Sequence, residues 1–192
     1  MAPAHAAAQR ARRAGPGARP AAGFTLVELM VTISLIVVVM ALAAPSFTAF
    51  QRNAQLTSSA NTLLSSLTAA RAEAMKRGRN VTVAPTDGSN WNSGWIVFVD
   101  EDGSGAKASG EEVLATEPAP ESTITIETVP ASTAYVMFNG SGYPRLANGA
   151  FQSSSIDFTH GLSSEQRRIV SSPAGRLRIC KPDPTTCAAA VL

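Results

Sequence analysis

The sequence predicts an α+β fold in which one long N-terminal helix precedes a small, mainly antiparallel β-sheet head. An unbroken apolar run from Phe24 to Ala44 gives way to a stretch with helical periodicity. From Asn80 onward the chain reads as short apolar runs separated by Gly, Pro, Asn, Asp and Ser. Helix first and strands after, without alternation, is the order of an α+β domain rather than of a parallel α/β sheet. The 192 residues suffice for one domain of ordinary size plus a non-globular segment.

Four segments follow in order: a leader (1–23), a transmembrane helix (24–44), an amphipathic helix continuing into the head (45–78), and the β-rich head (79–192). The leader carries Arg10, Arg12, Arg13 and Arg19 and no acidic residue; without them the formal charge of +2 becomes −2. The next segment is apolar except for Thr25, Glu28, Thr32 and Ser34, and contains no Lys, Arg or Pro. Its length as a helix is roughly 30 Å, the thickness of a bilayer's hydrocarbon core. With the arginines ahead of it, the positive-inside rule keeps the leader cytoplasmic and sends the head across the membrane.

Two plainer readings compete. Ala41-Leu42-Ala43 offers a secretory A-x-A cleavage site, but a signal's apolar region is usually about 7 to 15 residues long and lacks a carboxylate. A plain single-pass anchor explains the length but leaves Glu28 without a role, although a carboxylate in a bilayer costs about 3 kcal/mol unless paired.

Gly23-Phe24-Thr25-Leu26-Val27-Glu28-Leu29-Met30 resembles the prepilin peptidase signature of type IV pilins and type II secretion pseudopilins. The resemblance implies cleavage after Gly23, N-methylation at Phe24, and pairing of Glu28 with the amino terminus of a neighbouring subunit. It also implies a type IV pilin-like fold, and Pro45 falls where the family often has a helix-kinking proline. The competing view of Glu28 is a first-turn carboxylate that favours the helix dipole.

After Pro45 apolar residues recur at Phe47, Phe50, Ala54, Ala60, Leu63, Leu64, Leu67, Ala70, Ala74 and Met75, which predicts an amphipathic helix lying on a sheet. Arg71, Lys76 and Arg77 suit the negative end of its dipole, and Gly78 supplies a left-handed cap. Strands are expected near Val81 to Ala84, Trp95 to Val99, Glu112 to Thr116, Ser122 to Val129, Thr133 to Phe138, Ser155 to Phe158, Arg167 to Ser171 and Arg176 to Cys180. Gly94 to Asp100, Phe138 to Gly142 and Gly175 to Arg178 resemble blocks of the GspH/FimT-type minor pilins and pseudopilins.

Charge divides the head. Nine acidic residues between Asp87 and Glu127 face Lys107 alone, whereas five basic residues from Arg167 onward face Glu165 and Asp183. Strand alternation puts Arg176 and Arg178 on one face and Leu177 and Ile179 on the other. Arg167, Arg168 and Lys181 are close enough in sequence to extend a phosphate-binding patch. In FimT-like pilins of natural transformation systems a Gly-Arg-x-Arg element is associated with DNA binding, and the resemblance assigns that role to Arg176 and Arg178. Against it stand a charged edge strand that blocks aggregation and the lack of an interleaved aromatic residue.

Asp100, Asp102, Ser104, Gly105 and Glu111 match positions of an EF-hand-like calcium loop, but a strand precedes them where a helix should, and a solvated hairpin turn is the competing reading. Cys180 and Cys187 suit a disulfide in an oxidising compartment, free thiols being the alternative. No catalytic motif stands out: His5 leaves with the leader and His160 reads as a turn residue. No cofactor is expected.

Two functions remain in view. One is a minor pilin or pseudopilin, a structural or priming subunit of a type IV pilus, to which DNA binding through Arg176 and Arg178 is a compatible addition. The other is a type II secretion pseudopilin without DNA binding. Both imply other pilins, the prepilin peptidase and the inner membrane as partners, with a single-pass chain and a periplasmic head that can enter an extracellular pilus.

Overall fold

The computed structural model describes residues 23–130 and 134–189. The leader arginines, His5 and Thr133, at which one expected strand begins, lie outside them. The chain divides into two units, 1–43 and 44–192.

Within the first unit, helix α1 (Leu26–Arg77) begins and is exposed throughout. Thr25 caps it: the Glu28 N–H donates to Thr25 Oγ1 at 3.1 Å, which puts Glu28 in the first turn. The Thr32 and Ser34 hydroxyls donate to the carbonyls of Leu29 and Met30, so both polar groups are satisfied within the helix, as hydrocarbon surroundings require. The apolar part of α1 is long and apolar enough to cross a bilayer, and none of it is buried.

In the second unit α1 buries Leu56, Ala60, Leu63, Leu67, Ala70 and Ala74, spaced alternately by four and three residues. Two features differ from expectation. Leu56 joins the stripe, whereas Phe47, Phe50, Ala54 and Met75 are exposed. The stripe is set by where the sheets lie, which helical periodicity alone does not report. The helix ends at Arg77, and Gly78 follows in the left-handed region (φ 66°) with its N–H on the Ala74 carbonyl at 2.9 Å.

Among the described residues nine strands follow: β1 (Val81–Pro85), β2 (Trp95–Val99), β3 (Val113–Glu117), β4 (Ile124–Val129), β5 (Val136–Phe138), β6 (Pro144–Arg145), β7 (Ser154–His160), β8 (Ser163–Ser171) and β9 (Leu177–Cys180). They form two sheets, not one: β3-β2-β1-β5-β6 and β4-β7-β8-β9, every pairing antiparallel. The strand positions are close to those expected, but their pairing depends on partners remote in sequence. The two-residue β6 and the 3₁₀ turn Trp91–Ser93 are new. β8 starts four residues earlier than expected, and β9 starts at Leu177 rather than Arg176.

One core joins all three layers. The α1 stripe meets Val81, Val83, Trp95, Val97, Val136 and Phe138 of the first sheet and Ile124, Ile126, Ile156, Phe158 and Ile169 of the second. Trp95 donates its indole N–H to Ser66 Oγ at 3.0 Å, so the one polar atom of its ring is satisfied against the helix.

Leu63→Ala is expected to destabilise the head by about 2 to 5 kcal/mol, because it leaves a cavity between α1 and both sheets. Phe50→Ala, at an exposed position, should cost less than about 0.5 kcal/mol. Denaturant unfolding of the detergent-solubilised chain, followed by tryptophan fluorescence, distinguishes the two.

Candidate nucleic-acid interface

The five basic side chains near the C-terminus do not form one patch. Register decides this. Arg168 on β8 stands opposite Asp157 on β7 and Cys180 on β9, while Arg167 stands opposite the buried Phe158. Neighbouring residues of a strand face opposite sides of the sheet, so Arg167 and Arg168 cannot extend the same surface.

Each of these two is also neutralised. Arg168 Nε and Nη2 donate to both oxygens of Asp157 at 2.6 and 2.5 Å, and its Nη1 donates to the Cys187 carbonyl at 3.1 Å. This bidentate pair is largely buried, and Asp157 raises the guanidinium pKa. Arg167 and Lys181 converge on Glu165 at 3.2 and 2.6 Å, and these two cations, Lys181 foremost, hold its carboxyl below the usual range. Arg168 is a structural clamp on the C-terminal loop; the charges of Arg167 and Lys181 are shared with an acid.

Arg176 and Arg178 differ. Both are exposed, and neither makes an ion pair among the described residues. Leu177 and Ile179 pack against the core, so the expected alternation of faces is present.

The turn that presents Arg176 is held by backbone contacts. Gly175 has φ 77°, and a Cβ there would lie 2.4 Å from the Gly142 carbonyl oxygen. That oxygen also accepts from Arg71 Nε at 2.9 Å. Arg71 therefore does not serve the helix end as expected; it bonds to the β5–β6 turn of one sheet where the β8–β9 turn of the other packs against it. Gly140 packs on Gly78 in the same region, where a Cβ would come within 2.5 Å of backbone. Thr68, Arg71, Ala174, Arg176 and Leu177 line a hollow of about 300 Å³ beside this junction.

The acidic loop behaves otherwise. The carboxylates of Asp100, Asp102 and Glu111 lie within 4.8 Å of one another, but each is engaged by its own loop. Asp100 accepts from the N–H groups of Ser104 and Gly105 and from Thr82 Oγ1, Asp102 from Ser104 N–H, and Glu111 from the N–H groups of Glu101 and Ala108. The Ser104 hydroxyl donates to the Ala106 carbonyl. Burial pushes the Asp100 carboxyl up, whereas bonds from Ser104 hold that of Asp102 down. These contacts are those of a turn stapled by its side chains.

Cys180 and Cys187 are joined, with Cα atoms 6.2 Å apart, and the bridge closes a loop whose Asp183 carboxylate accepts from the Thr185 and Thr186 N–H groups. His160 is not merely a turn residue: it ends β7, is buried, and its Nδ1 accepts from the Leu162 N–H at 3.1 Å.

Residues 59–175 match the family described as Type II transport protein GspH, and residues 18–44 match the prokaryotic N-terminal methylation motif. The chain belongs to the GspH family. Among solved structures, the type IV minor pilin FimU of Pseudomonas aeruginosa shares the fold, with a TM-score of 0.52 at 21% identity, covering 69% of this chain and 96% of that one. The minor pseudopilin EpsH of the type II secretion system of Vibrio cholerae aligns over 67% of this chain and 98% of its own, with a TM-score of 0.49 at 14% identity. A comparison with curated protein sequences gives no match. This GspH-family chain is thus a minor pilin or pseudopilin of the GspH/FimT type, with the type IV pilin fold and an apolar N-terminal helix suited to membrane anchoring. Its family and the pilin whose fold it shares are structural components rather than enzymes.

Two participants escaped the sequence reading. Asp157 is an unremarkable strand residue until register puts it opposite Arg168. Arg71 lies in an alanine-rich stretch of α1 and reads as a helix-end cation, and nothing local links it to Gly142, 71 residues away.

Arg168→Gln in this GspH-family pilin should lower stability by about 1 to 3 kcal/mol, because it leaves the Asp157 carboxylate without its charged partner. Arg178→Gln should change it by less than about 0.5 kcal/mol. Thermal unfolding of the two variants at equal salt checks the contrast.

Proposed function

We propose that this protein is a minor pilin of a type IV pilus that holds DNA on Arg176 and Arg178 during natural transformation. One observation carries the reading: of the five C-terminal cations, these two alone are exposed and lack an acidic partner among the described residues. Phosphates bind where a guanidinium is neither buried nor already neutralised. The disulfide and the Arg168 clamp support it, since both brace the strand that carries Arg178.

Assembly follows from the N-terminal motif. Prepilin peptidase cleaves between Gly23 and Phe24, Phe24 is methylated, and the segment 24–44 stays in the inner membrane until extracted into a filament with other pilins. The segment 45–78 then leads into the periplasmic head, 79–192. The exposed rings of Phe47 and Phe50, which the head leaves uncovered, suit packing against neighbouring pilin helices. Glu28, exposed near the capped helix start, pairs there with another subunit's amino terminus. A second reading, a type II secretion pseudopilin without DNA binding, is favoured by the description of the matched family.

Intact mass spectrometry of membrane-extracted protein should give a chain starting at methylated Phe24. In the same cells, Glu28→Ala should be cleaved and inserted but enter filaments well below the wild-type level; equal incorporation would remove the pairing role, and a start at Ala44 would make the segment a secretory signal.

For DNA, the full-length chain in detergent should bind with little sequence preference and a dissociation constant of about 10⁻⁴ to 10⁻⁶ M per subunit. Replacing Arg176 and Arg178 together by Gln should reduce the salt slope on duplex DNA by nearly two units, about 0.9 for each phosphate no longer neutralised. A folded double variant with unchanged affinity and slope would leave only the structural role, as the secretion reading requires.

A further inference from the structure

Among the described aromatic residues beyond α1, Trp91, Trp95, Phe98, Phe138 and Phe158 are buried and Tyr135 is half-buried, whereas Tyr143 and Phe151 are 42% and 50% exposed. They also touch: the ring centroids are 6.3 Å apart and the planes nearly perpendicular. The Arg145 guanidinium lies 3.7 Å over the Phe151 ring, and its Nη1 donates to the Gly149 carbonyl, which fixes the plane. Three flat groups thus share one exposed edge of the first sheet, where β6 is the terminal strand and Arg145 and Phe151 are bridged.

The position of this cluster gives it meaning. Tyr143 follows Gly142 and Arg176 follows Gly175, and these two glycines are in contact. Bond lengths alone then keep the Tyr143 and Arg176 Cα atoms within about 11 Å of each other. Flat aromatic and guanidinium surfaces next to exposed arginines without acidic partners have the chemistry of a single-strand site, in which bases stack while phosphates meet positive charge. In a duplex the base faces are covered by their neighbours, and such a platform has nothing to grip.

We infer that Tyr143, Phe151 and Arg145 form a base-stacking platform that makes this pilin prefer single-stranded DNA. This rests on the assignment of Arg176 and Arg178 to phosphates and adds the form of the nucleic acid. The platform belongs to one sheet and the phosphate arginines to the turn and strand of the other, and the contact of Gly142 with Gly175 brings Tyr143 and Arg176 together. It also removes an objection raised by the sequence, in which no aromatic residue lies among the C-terminal arginines.

The test compares three probes of equal phosphate count on the full-length chain in detergent: an oligothymidine of about 12 nucleotides, an abasic strand of the same length, and a short duplex. Fluorescence anisotropy should show the oligothymidine binding at least about tenfold more tightly than the abasic strand, the loss expected when one stacked base is removed. Tyr143→Ala and Phe151→Leu should each bring oligothymidine close to the abasic value while leaving the salt slope and duplex binding unchanged. Tyr143→Phe, which keeps the π face, should bind as wild type. Equal binding of the abasic and thymidine strands overturns the platform without any substitution. If the Arg176 and Arg178 double variant still weakens binding in that case, the phosphate site survives alone. A wild-type chain that binds none of the probes overturns both readings.

Discussion

A helix can carry two sheets at once only if it offers each of them a close, unbroken apolar line. In this protein Leu56, Ala60, Leu63, Leu67, Ala70 and Ala74 provide it. Three of the six are alanines, and small side chains let the layers approach closely. Bulk comes instead from the sheets, through Phe138, Phe158, Ile156 and Ile169. Everything that follows in the head depends on that junction. If the line broke, the inner faces of both sheets would be open to water, at about 25 cal/mol for each Å² of apolar surface.

Beside the last turn of the stripe, polar chemistry adds to the joining of the layers. Arg71 reaches from α1 to the Gly142 carbonyl, and Gly175 closes on the same oxygen. Two turns from different sheets meet there because Gly175 carries no Cβ, and Gly142 lies close on Met75 and Arg71 of the helix for the same reason. The arrangement has a functional consequence: it fixes the height at which Arg176 leaves the surface and sets the Tyr143 cluster beside it. The proposed DNA site, with residues from both sheets, needs such a joint, since the ladder hydrogen bonds run within each sheet.

Charge is sorted in a similar way. Acidic residues of the middle region are used at home: Asp100 and Glu111 staple their own loop, and Glu112 pairs with Arg77 at the helix end. Of the basic residues, Arg168 directs its donors to Asp157 and Cys187, and Glu165 holds Arg167 and Lys181. Among the described residues, what is left without an acidic partner at the C-terminal edge is a small positive surface rather than the five-residue patch that residue counting suggests. The same side chains that look equivalent by charge differ by burial, by the face of the strand and by partner.

The sequence by itself determined the N-terminal motif, the apolar helix, the helix end at Gly78 and nearly every strand position. Each of these is written in neighbouring residues: a run of apolar side chains, a period of 3.6 or 2, a glycine where φ is positive. The disulfide and the exposed alternation of Arg176 and Arg178 belong to the same class. Tertiary structure alone decided the division into two sheets, the start of the buried stripe at Leu56, the pairing of Arg168 with Asp157 and the meeting of Gly142 with Gly175. These depend on which strand lies beside which, and that is settled by summed burial over the whole core rather than by any local pattern. The exposed rings of Tyr143 and Phe151 show the difference most plainly. In sequence they are two ordinary aromatic residues eight positions apart, and only the fold brings their rings into contact and, through Gly142 and Gly175, Tyr143 toward Arg176.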